Sequence, residues 1–296
     1  MVAFVGSQVV TAGGWQDWEW DETLFAGAAP YYAQGRLPYA EGLADALRTA
    51  LALDGSGRLL DVGCGPGVVT IRLAHLFDEV VGLDPDADML DEAARVAEGA
   101  GVANARWVRM RAEELPGTLG LFRVVAFAAS FHWMDRPKVA RLVRSMLDRA
   151  GVAIQIDAPS YRCDALAEAA PPGLPHPFPP DNAIVELRHR YLGPDTRAGR
   201  GIRNSSPDGE DAVFIDAGFE PAREIVVSDG RVLERTVDDL VAMRFSSSPT
   251  TPHLFGDRVG EFETDLRQLL TEASPSGVFS VRLPDNIVRI WKPLPR

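Results

Sequence analysis

The stretch Arg58-Leu59-Leu60-Asp61-Val62-Gly63-Cys64-Gly65-Pro66-Gly67 decides the fold of this chain. It predicts a buried β-strand that ends in a glycine-rich turn, and the apolar residues beyond the turn recur at helical spacing. Glycine permits backbone angles, and a close approach by a ligand, that a side chain would obstruct. Because a helix behind such a turn presents free N–H groups, the pattern is typical of a nucleotide-binding unit.

A second strand with an acid at its end follows at the spacing of nucleotide-binding folds. The run Glu79-Val80-Val81-Gly82-Leu83-Asp84 predicts this strand, and Asp84 comes 21 residues after Gly63. In nucleotide-binding α/β folds, a carboxylate about 20 residues after the turn binds ribose hydroxyls. A glycine turn, a helix and a strand that ends in an acid together indicate a nucleotide-binding site more specifically than a glycine triplet alone. A glycine turn without a ligand is therefore the less favoured interpretation.

The spacing of the glycines separates two cofactor classes. The dinucleotide fingerprint is G-x-G-x-x-G, whereas Gly63, Gly65 and Gly67 are spaced G-x-G-x-G and Asp61 precedes them. The pattern D-V-G-C-G-P-G resembles motif I of class I S-adenosylmethionine-dependent methyltransferases. The resemblance implies S-adenosylmethionine as the cofactor and S-adenosylhomocysteine as its product. An NAD-dependent oxidoreductase is the alternative that this spacing disfavours.

Strands and helices alternate along the chain, which favours an α/β fold with a doubly wound parallel sheet. The resemblance implies a Rossmann-like sheet of seven strands that is mostly parallel and has an antiparallel edge. The predicted strands lie at residues 58–62, 79–84, 105–110, 124–128, 152–156, 223–227 and 287–291.

The alternation of strands and helices is interrupted twice, and we predict helical cap insertions there. Residues 171–180 hold six prolines, which neither a helix nor a central strand accommodates. Predicted helices at 237–245 and 258–272 form the second interruption. The predicted organisation is an N-terminal helical cap segment (1–56), a cofactor-binding core (57–157), a cap insertion (158–205), and the C-terminal half of the core (206–296) with a second cap insertion (234–275).

The resemblance also implies which residues contact the cofactor. Glu113 would accept a hydrogen bond from the adenine amino group, with a solvated loop charge as the alternative. Tyr32 and Arg36 would close over the methionine end of the cofactor, where Arg36 would pair with its carboxylate; a packing cluster is the alternative for both. The predicted cofactor-binding residues are Asp61, Gly63, Cys64, Gly65, Gly67, Asp84, Pro85, Ala112, Glu113, Ser130, Phe131, Tyr32 and Arg36.

His132 is the candidate catalytic residue, because it follows the fourth predicted strand, at the carboxyl end where open α/β sheets bind ligands. Methyl transfer is an in-line displacement, so the enzyme mainly orients donor and acceptor. A base is needed only when the acceptor enters protonated. The alternative role of His132 is a pocket wall beside Trp133. The S-F-H-W element around it resembles the methyltransferase type 11 or trans-aconitate methyltransferase-like branch.

The amino-acid composition limits which binding partners and which cellular compartment we expect for this protein. The chain has 296 residues and a net charge of −12 without a long basic run, which disfavours a nucleic-acid partner. Cys64 and Cys163 do not form a disulfide framework, and Cys64 has a small buried filler as its alternative role. Without a signal-peptide pattern or a membrane-spanning apolar run, we expect a cytoplasmic protein with no membrane partner.

The expected acceptor is a small molecule, with O-methylation of a carboxylate or hydroxyl favoured. The N/D-P-P-Y/F motif of nucleobase amino methyltransferases is absent from Ala129-Ser130-Phe131-His132. Residues at metal-ligand spacing are also absent, so no metal is expected. A non-methylating, cyclase-like or cofactor-sensing protein on the same scaffold is the alternative, because it would keep the same glycine motif. The sequence leaves the oligomeric state open.

Overall fold

The computed structural model describes residues 21–159, 173–195, 197–198, 201–202 and 209–295. The prediction for Cys163, part of the first predicted cap insertion and residues 1–20 of the predicted N-terminal cap segment therefore lie outside the described residues. The helices of the described part are α1 (Ala29–Gly35), α2 (Leu43–Leu51), α3 (Val68–Leu73), α4 (Ala87–Gly99), α5 (Arg136–Met146), α6 (Asp181–Leu192), α7 (Gly209–Asp216), α8 (Val237–Phe245) and α9 (Val259–Ala273). The strands are β1 (Arg58–Val62), β2 (Glu79–Asp84), β3 (Ala105–Arg109), β4 (Phe122–Ala128), β5 (Leu147–Ile156), β6 (Arg197–Ala198), β7 (Gly201–Ile202), β8 (Arg223–Val227), β9 (Val232–Thr236), β10 (Val278–Arg282) and β11 (Asn286–Trp291).

Seven strands form the central sheet, in the order β3-β2-β1-β4-β5-β11-β8. The strands β1 to β5 pair in parallel. Strand β11 runs antiparallel to both of its neighbours, with Val288 opposite Ile156 on one side and Ile225 on the other. The predicted Rossmann-like, mostly parallel seven-stranded sheet with an antiparallel edge is confirmed.

Two apolar layers cover the sheet, one on each face. Alternate residues of β1 point to opposite faces, so Leu60 joins one buried cluster and Leu59 the other. The Leu60 layer includes Val143 of α5 and Phe214 of α7, whereas the Leu59 layer includes Leu47 of α2. Because both faces are covered, the central strand β4 is continuously apolar from Val124 to Ala128, as is typical of parallel sheets.

A third apolar cluster lies apart from these two layers and defines the cap. It contains Leu187 of α6, Phe245 of α8, Phe262 of α9 and Phe279 of β10. The antiparallel pair β9–β10 closes it, and the sequence analysis missed both strands. We use the word cap for α6 together with residues 232–283.

The described part of the predicted N-terminal cap segment, residues 21–56, contacts two different apolar clusters. Leu37, just after α1, is buried in the cap cluster, whereas Tyr39 and the buried leucines of α2 belong to the core layer of Leu59. The chain therefore crosses from cap to core near Pro38. Among the described residues, no helix combines the length and apolarity needed to cross a membrane.

Candidate cofactor cleft

A cleft opens where β1, β2 and β4 end. Its position is the usual ligand site of an open α/β sheet. Eight of the predicted cofactor-binding residues line it: Tyr32, Gly63, Gly65, Asp84, Pro85, Ala112, Glu113 and Ser130.

The three glycines of the turn have different physical roles. All have left-handed φ angles, +70° at Gly63, +52° at Gly65 and +75° at Gly67. A Cβ atom at Gly63 would lie 2.6 Å from Cβ of Ser130, and one at Gly67 would lie 2.5 Å from the Trp107 ring. At Gly65, a Cβ atom would meet no atom of the described chain within 4 Å. Gly63 and Gly67 therefore permit internal packing, whereas Gly65 leaves room beside the cleft.

Asp84 fixes the loops around it through both carboxylate oxygens. Its Oδ2 accepts a hydrogen bond from the Gly65 N–H at 2.8 Å, and its Oδ1 accepts one from the Asp86 N–H at 3.0 Å. Burial raises the pKa of Asp84 to about 6, although these two hydrogen bonds act in the opposite direction. Each oxygen retains a further lone pair, so the carboxylate fits a ligand that presents two hydroxyl donors.

Asp61 is completely buried beneath the turn. Its Oδ2 accepts a hydrogen bond from Thr70 Oγ1 at 2.6 Å, whereas Oδ1 has no hydrogen-bond partner among the described residues. Burial raises the pKa of Asp61 to about 6. Burial also raises the pKa of Tyr39 above its usual range, and the nearby Tyr32 and Asp61 add to this shift. A buried carboxylate with one unsatisfied oxygen fits a cationic or hydrogen-bond-donating ligand group.

The turn after β3 closes the opposite side of the cleft. Glu113 Oε1 accepts a hydrogen bond from the Asp135 N–H at 2.9 Å, and its Oε2 lies 3.7 Å from Nε of Arg111. The side chain is 11% exposed, so Glu113 is not a solvated loop charge. The Ser130 hydroxyl donates to the Val62 carbonyl, which fixes the loop after β4 against β1.

Five of the predicted cofactor-binding residues do not line the cleft, and packing explains three of them. Phe131 is fully buried and stacks on Phe214 with ring centroids 4.9 Å apart, so its side chain belongs to the core. Arg36 donates to the Ser246 carbonyl at 2.6 Å and lies over the Tyr32 ring. Cys64 is buried, which matches the small filler role, and burial raises its pKa well above the ordinary value. The other two are Asp61, below the turn, and Gly67, against Trp107.

His132 lies in the short 3₁₀ helix Phe131–Trp133. Its ring packs on Trp133 with centroids 4.3 Å apart, and Trp133 rather than His132 lines the cleft. This arrangement agrees better with a supporting wall than with a base in direct contact with a ligand. Among the described residues, no group of acidic, histidine or cysteine side chains is arranged to hold a metal ion.

One whole side of the cleft was not predicted from the sequence. Glu22, Leu24 and Phe25 line it from the N-terminal segment, and Phe25 meets Trp133 edge to face at 6.1 Å. No motif marks these residues, because their role arises only from the tertiary contact. Arg111, Met89 and Met134 are further lining residues.

Residues 59–150 match the family model described as a methyltransferase domain. The chain is 36% identical over 124 residues to the uncharacterized methyltransferase Rv3342 of Mycobacterium tuberculosis, which covers 40% of this chain and 47% of the relative. It is 29% identical over 140 residues to the uncharacterized methyltransferase YcgJ of Bacillus subtilis, covering 46% and 54%. A 31% identical stretch of 98 residues matches the tRNA 5-carboxymethoxyuridine methyltransferase of Escherichia coli, covering 32% and 38%. The chain thus spans about half or less of the length of these relatives.

Solved structures share the fold over most of the chain. The crystal structure of YcgJ aligns with a TM-score of 0.50 at 19% identity, covering 86% of this chain and 98% of that one. A putative type II methyltransferase from Anaeromyxobacter dehalogenans aligns with a TM-score of 0.51 at 18% identity, covering 88% and 99%. The strand order and the position of the cleft are those of a Rossmann-like fold. Within it, residues 59–150 are similar to a methyltransferase domain.

Proposed function

We propose that the protein binds S-adenosylmethionine in this cleft and transfers its methyl group to a small-molecule acceptor. The observation that carries the proposal is the pairing of an open space at Gly65 with a buried carboxylate oxygen of Asp61 that has no partner in the described chain. The cofactor has a cationic sulfonium and an ammonium group, which match the acidic surroundings of Asp61 and Asp84.

The chain's own residues would bind and orient the cofactor. Asp84 would accept hydrogen bonds from the two ribose hydroxyls, and Glu113 with Ala112 would border the adenine. Asp61 would stabilise the cationic methionine end from below the turn. When bound, the cofactor supplies an electrophilic methyl group, and the protein's part is to align the acceptor with it and to exclude water. Phe25 and Tyr32 would help to exclude water, because their side chains line the cleft.

The proposed acceptor is a compact molecule that is methylated on a carboxylate or hydroxyl oxygen. The covered cleft and the net charge of −12 both disfavour a polyanionic duplex. The E. coli relative bears the name of a tRNA methyltransferase, so nucleic acid belongs among the acceptors to be tested. If the acceptor is a hydroxyl, His132, which packs on the cleft-lining Trp133, stays the candidate base, with a supporting role as the alternative.

Calorimetry tests the cofactor part of the proposal. We expect S-adenosylmethionine and S-adenosylhomocysteine to bind with micromolar dissociation constants, roughly −8 kcal/mol. Asp84→Ala should lose about 1.5–3 kcal/mol of that affinity, because its hydrogen bonds involve a charged acceptor. Asp45→Ala is the matched control, because Asp45 is an exposed side chain of α2. Tighter binding of NAD than of either compound would overturn the proposal.

A labelling experiment tests the acceptor. The protein is incubated with methyl-labelled cofactor and separate pools of nucleic acid, protein and small metabolites. We expect label in the small-metabolite pool. Label in tRNA or another nucleic acid would refute the small-molecule acceptor, and binding of the cofactor without label in any pool would favour the non-methylating alternative.

A further inference from the structure

Residues 22–36, here called the roof segment, cover the cofactor cleft from the N-terminal side. Glu22, Leu24, Phe25 and Tyr32 are the members that line the cleft. Leu24 is only 5% exposed, so the segment is packed against the protein at this residue. The contacts that hold this segment therefore also fix one wall of the cleft.

The C-terminal half of the roof segment has its most extensive contact with the cap, and α1 also contacts α4 of the core. Gly35, the last residue of α1, packs so closely on α8 that a Cβ atom there would lie 2.3 Å from the backbone carbonyl of Ala242. Gln34 Nε2 donates to Asp239 Oδ1 at 3.0 Å, on the first turn of α8. Arg36 donates to Ser246 O at 2.6 Å, at the other end of α8. The contact thus runs along the whole of α8.

The N-terminal half of the roof segment also contacts the cap. Gly27 packs on Pro252 at 3.6 Å, as measured from the position of an added Cβ atom. The Ala26 carbonyl lies 3.3 Å from Nδ1 of His253. Both halves therefore rest on residues 239–253, while the surface that they cover belongs to the core.

The backbone conformation at position 35 does not require glycine. Its φ is outside the left-handed region, and alanine is the better helix former at such a position. The close approach of the α8 backbone is the remaining physical reason for glycine. An added methyl group would meet backbone atoms, which cannot move aside as a flexible side chain could.

We infer that Gly35 is a positioning residue for the cofactor: by letting α1 seat on α8, it holds Phe25 and Tyr32 over the cleft. The inference rests on the proposed function, because it concerns the same cleft. Since the roof segment is bound to the cap, the contact between α1 and α8 determines the affinity of the cleft for the cofactor. Release of the product then requires the roof segment to lift together with the cap or to leave it.

The test compares Gly35→Ala with Gly260→Ala. Gly260 is a helical glycine of α9 in the same cap, and a Cβ atom there meets nothing within 4 Å. We expect Gly35→Ala to weaken binding of S-adenosylhomocysteine roughly tenfold and to speed its dissociation. Amide hydrogen exchange should rise in residues 22–36 and stay unchanged in β1, β2 and β4. Gly260→Ala should match the wild type in both measurements.

Two results would overturn the inference. One is wild-type affinity in a folded Gly35→Ala protein; the other is weaker binding without faster exchange in the roof segment. If Gly35→Ala does not fold, Gln34→Ala replaces it, because it removes only the hydrogen bond to Asp239; a loss of a few-fold in affinity is then expected, and no loss refutes the inference. A wild-type protein that binds neither S-adenosylmethionine nor S-adenosylhomocysteine would instead refute the proposed function, and exchange in residues 22–36 of Gly35→Ala would still show whether Gly35 seats the roof segment.

Discussion

The core and the cap bury similar kinds of side chain but are assembled in different ways. In the core, each strand pairs with neighbours in fixed register and buries both faces, so Leu59 and Leu60 serve opposite layers. In the cap, aromatic rings from separate segments meet in one cluster, and Phe255 stacks on Phe262 with centroids 4.1 Å apart. A repeating local pattern builds the first region, whereas contacts between distant segments build the second. This difference leads us to expect two units that lose stability separately.

Removing an aromatic ring at the centre of the cap should have the largest effect. Phe262 is fully buried, and Phe262→Ala should cost roughly 3–5 kcal/mol of local stability through lost contacts and a cavity. We expect faster hydrogen exchange in α8 and α9 with little change in β1 and β4. Phe127→Ala in the core is the matched substitution and should have the reverse pattern. Equal loss of protection in both regions would mean that cap and core unfold as one unit.

Within the core, two neighbouring glycines should respond differently to the same substitution. Gly63→Ala combines a left-handed backbone with a close contact to Ser130, so it should lower the free energy of unfolding by roughly 2–4 kcal/mol. Gly65→Ala has only the backbone cost, about 1–2 kcal/mol, but its methyl group would enter the cleft. Urea denaturation and cofactor titration of both variants measure the two effects. Equal destabilisation by the two substitutions would contradict the separate roles of the two glycines.

The buried carboxylates of the core should make its stability depend on pH. The pKa of Asp61 is about 6 in the folded protein, above its unfolded value of about 3.9. The folded state therefore binds more protons between these values, so this contribution to stability is lost as the pH rises through 6. In the cofactor-free protein, Asp61 should raise the free energy of unfolding by about 1 kcal/mol when the pH falls from 7 to 5. Asp84, whose pKa is also raised by burial, should shift the stability in the same direction.

Denaturation of Asp61→Asn at both pH values checks this prediction. The amide keeps an acceptor for Thr70 and removes the titrating group, so the difference between pH 5 and pH 7 should shrink by about 1 kcal/mol. If the difference in stability between pH 5 and pH 7 is the same in Asp61→Asn and in the wild type, the pH dependence comes from groups other than Asp61.

Ion pairs should give the smallest effects and should still distinguish the two regions. In the cap, Arg244 and Asp181 join α8 to α6 with side chains that are 12% and 18% exposed. In the core, the pair of Arg48 and Asp45 on α2 is 46% and 78% exposed. Asp181→Asn should cost about 1 kcal/mol, because its partner is partly shielded from water. Asp45→Asn should cost less than about 0.5 kcal/mol. Thermal unfolding at low and high salt measures both, and an equal cost would contradict the difference in shielding.

Several features of the fold could be predicted because they are encoded locally. The glycine turn, the acid at the end of β2 and the alternating strands and helices identify the sheet, since backbone angles and apolar faces depend on residues close in sequence. The bounds of β1, β2, β8 and α8 agree with the structure for this reason. The strands β9 and β10 were missed because they pair across the whole of α8 and α9.

The sequence by itself therefore determined the central sheet, the resemblance of residues 59–150 to a methyltransferase domain and the position of the cleft. Only the tertiary structure decided that Gly63 and Gly67 serve packing while Gly65 faces open space, and that Phe131 belongs to the core. It also decided that Arg36 bonds to Ser246, 210 residues away, and that Phe25 and Tyr32 cover the cleft. The physical reason is that a local pattern specifies the conformation and polarity of each element, whereas the partner of a side chain depends on how distant elements pack.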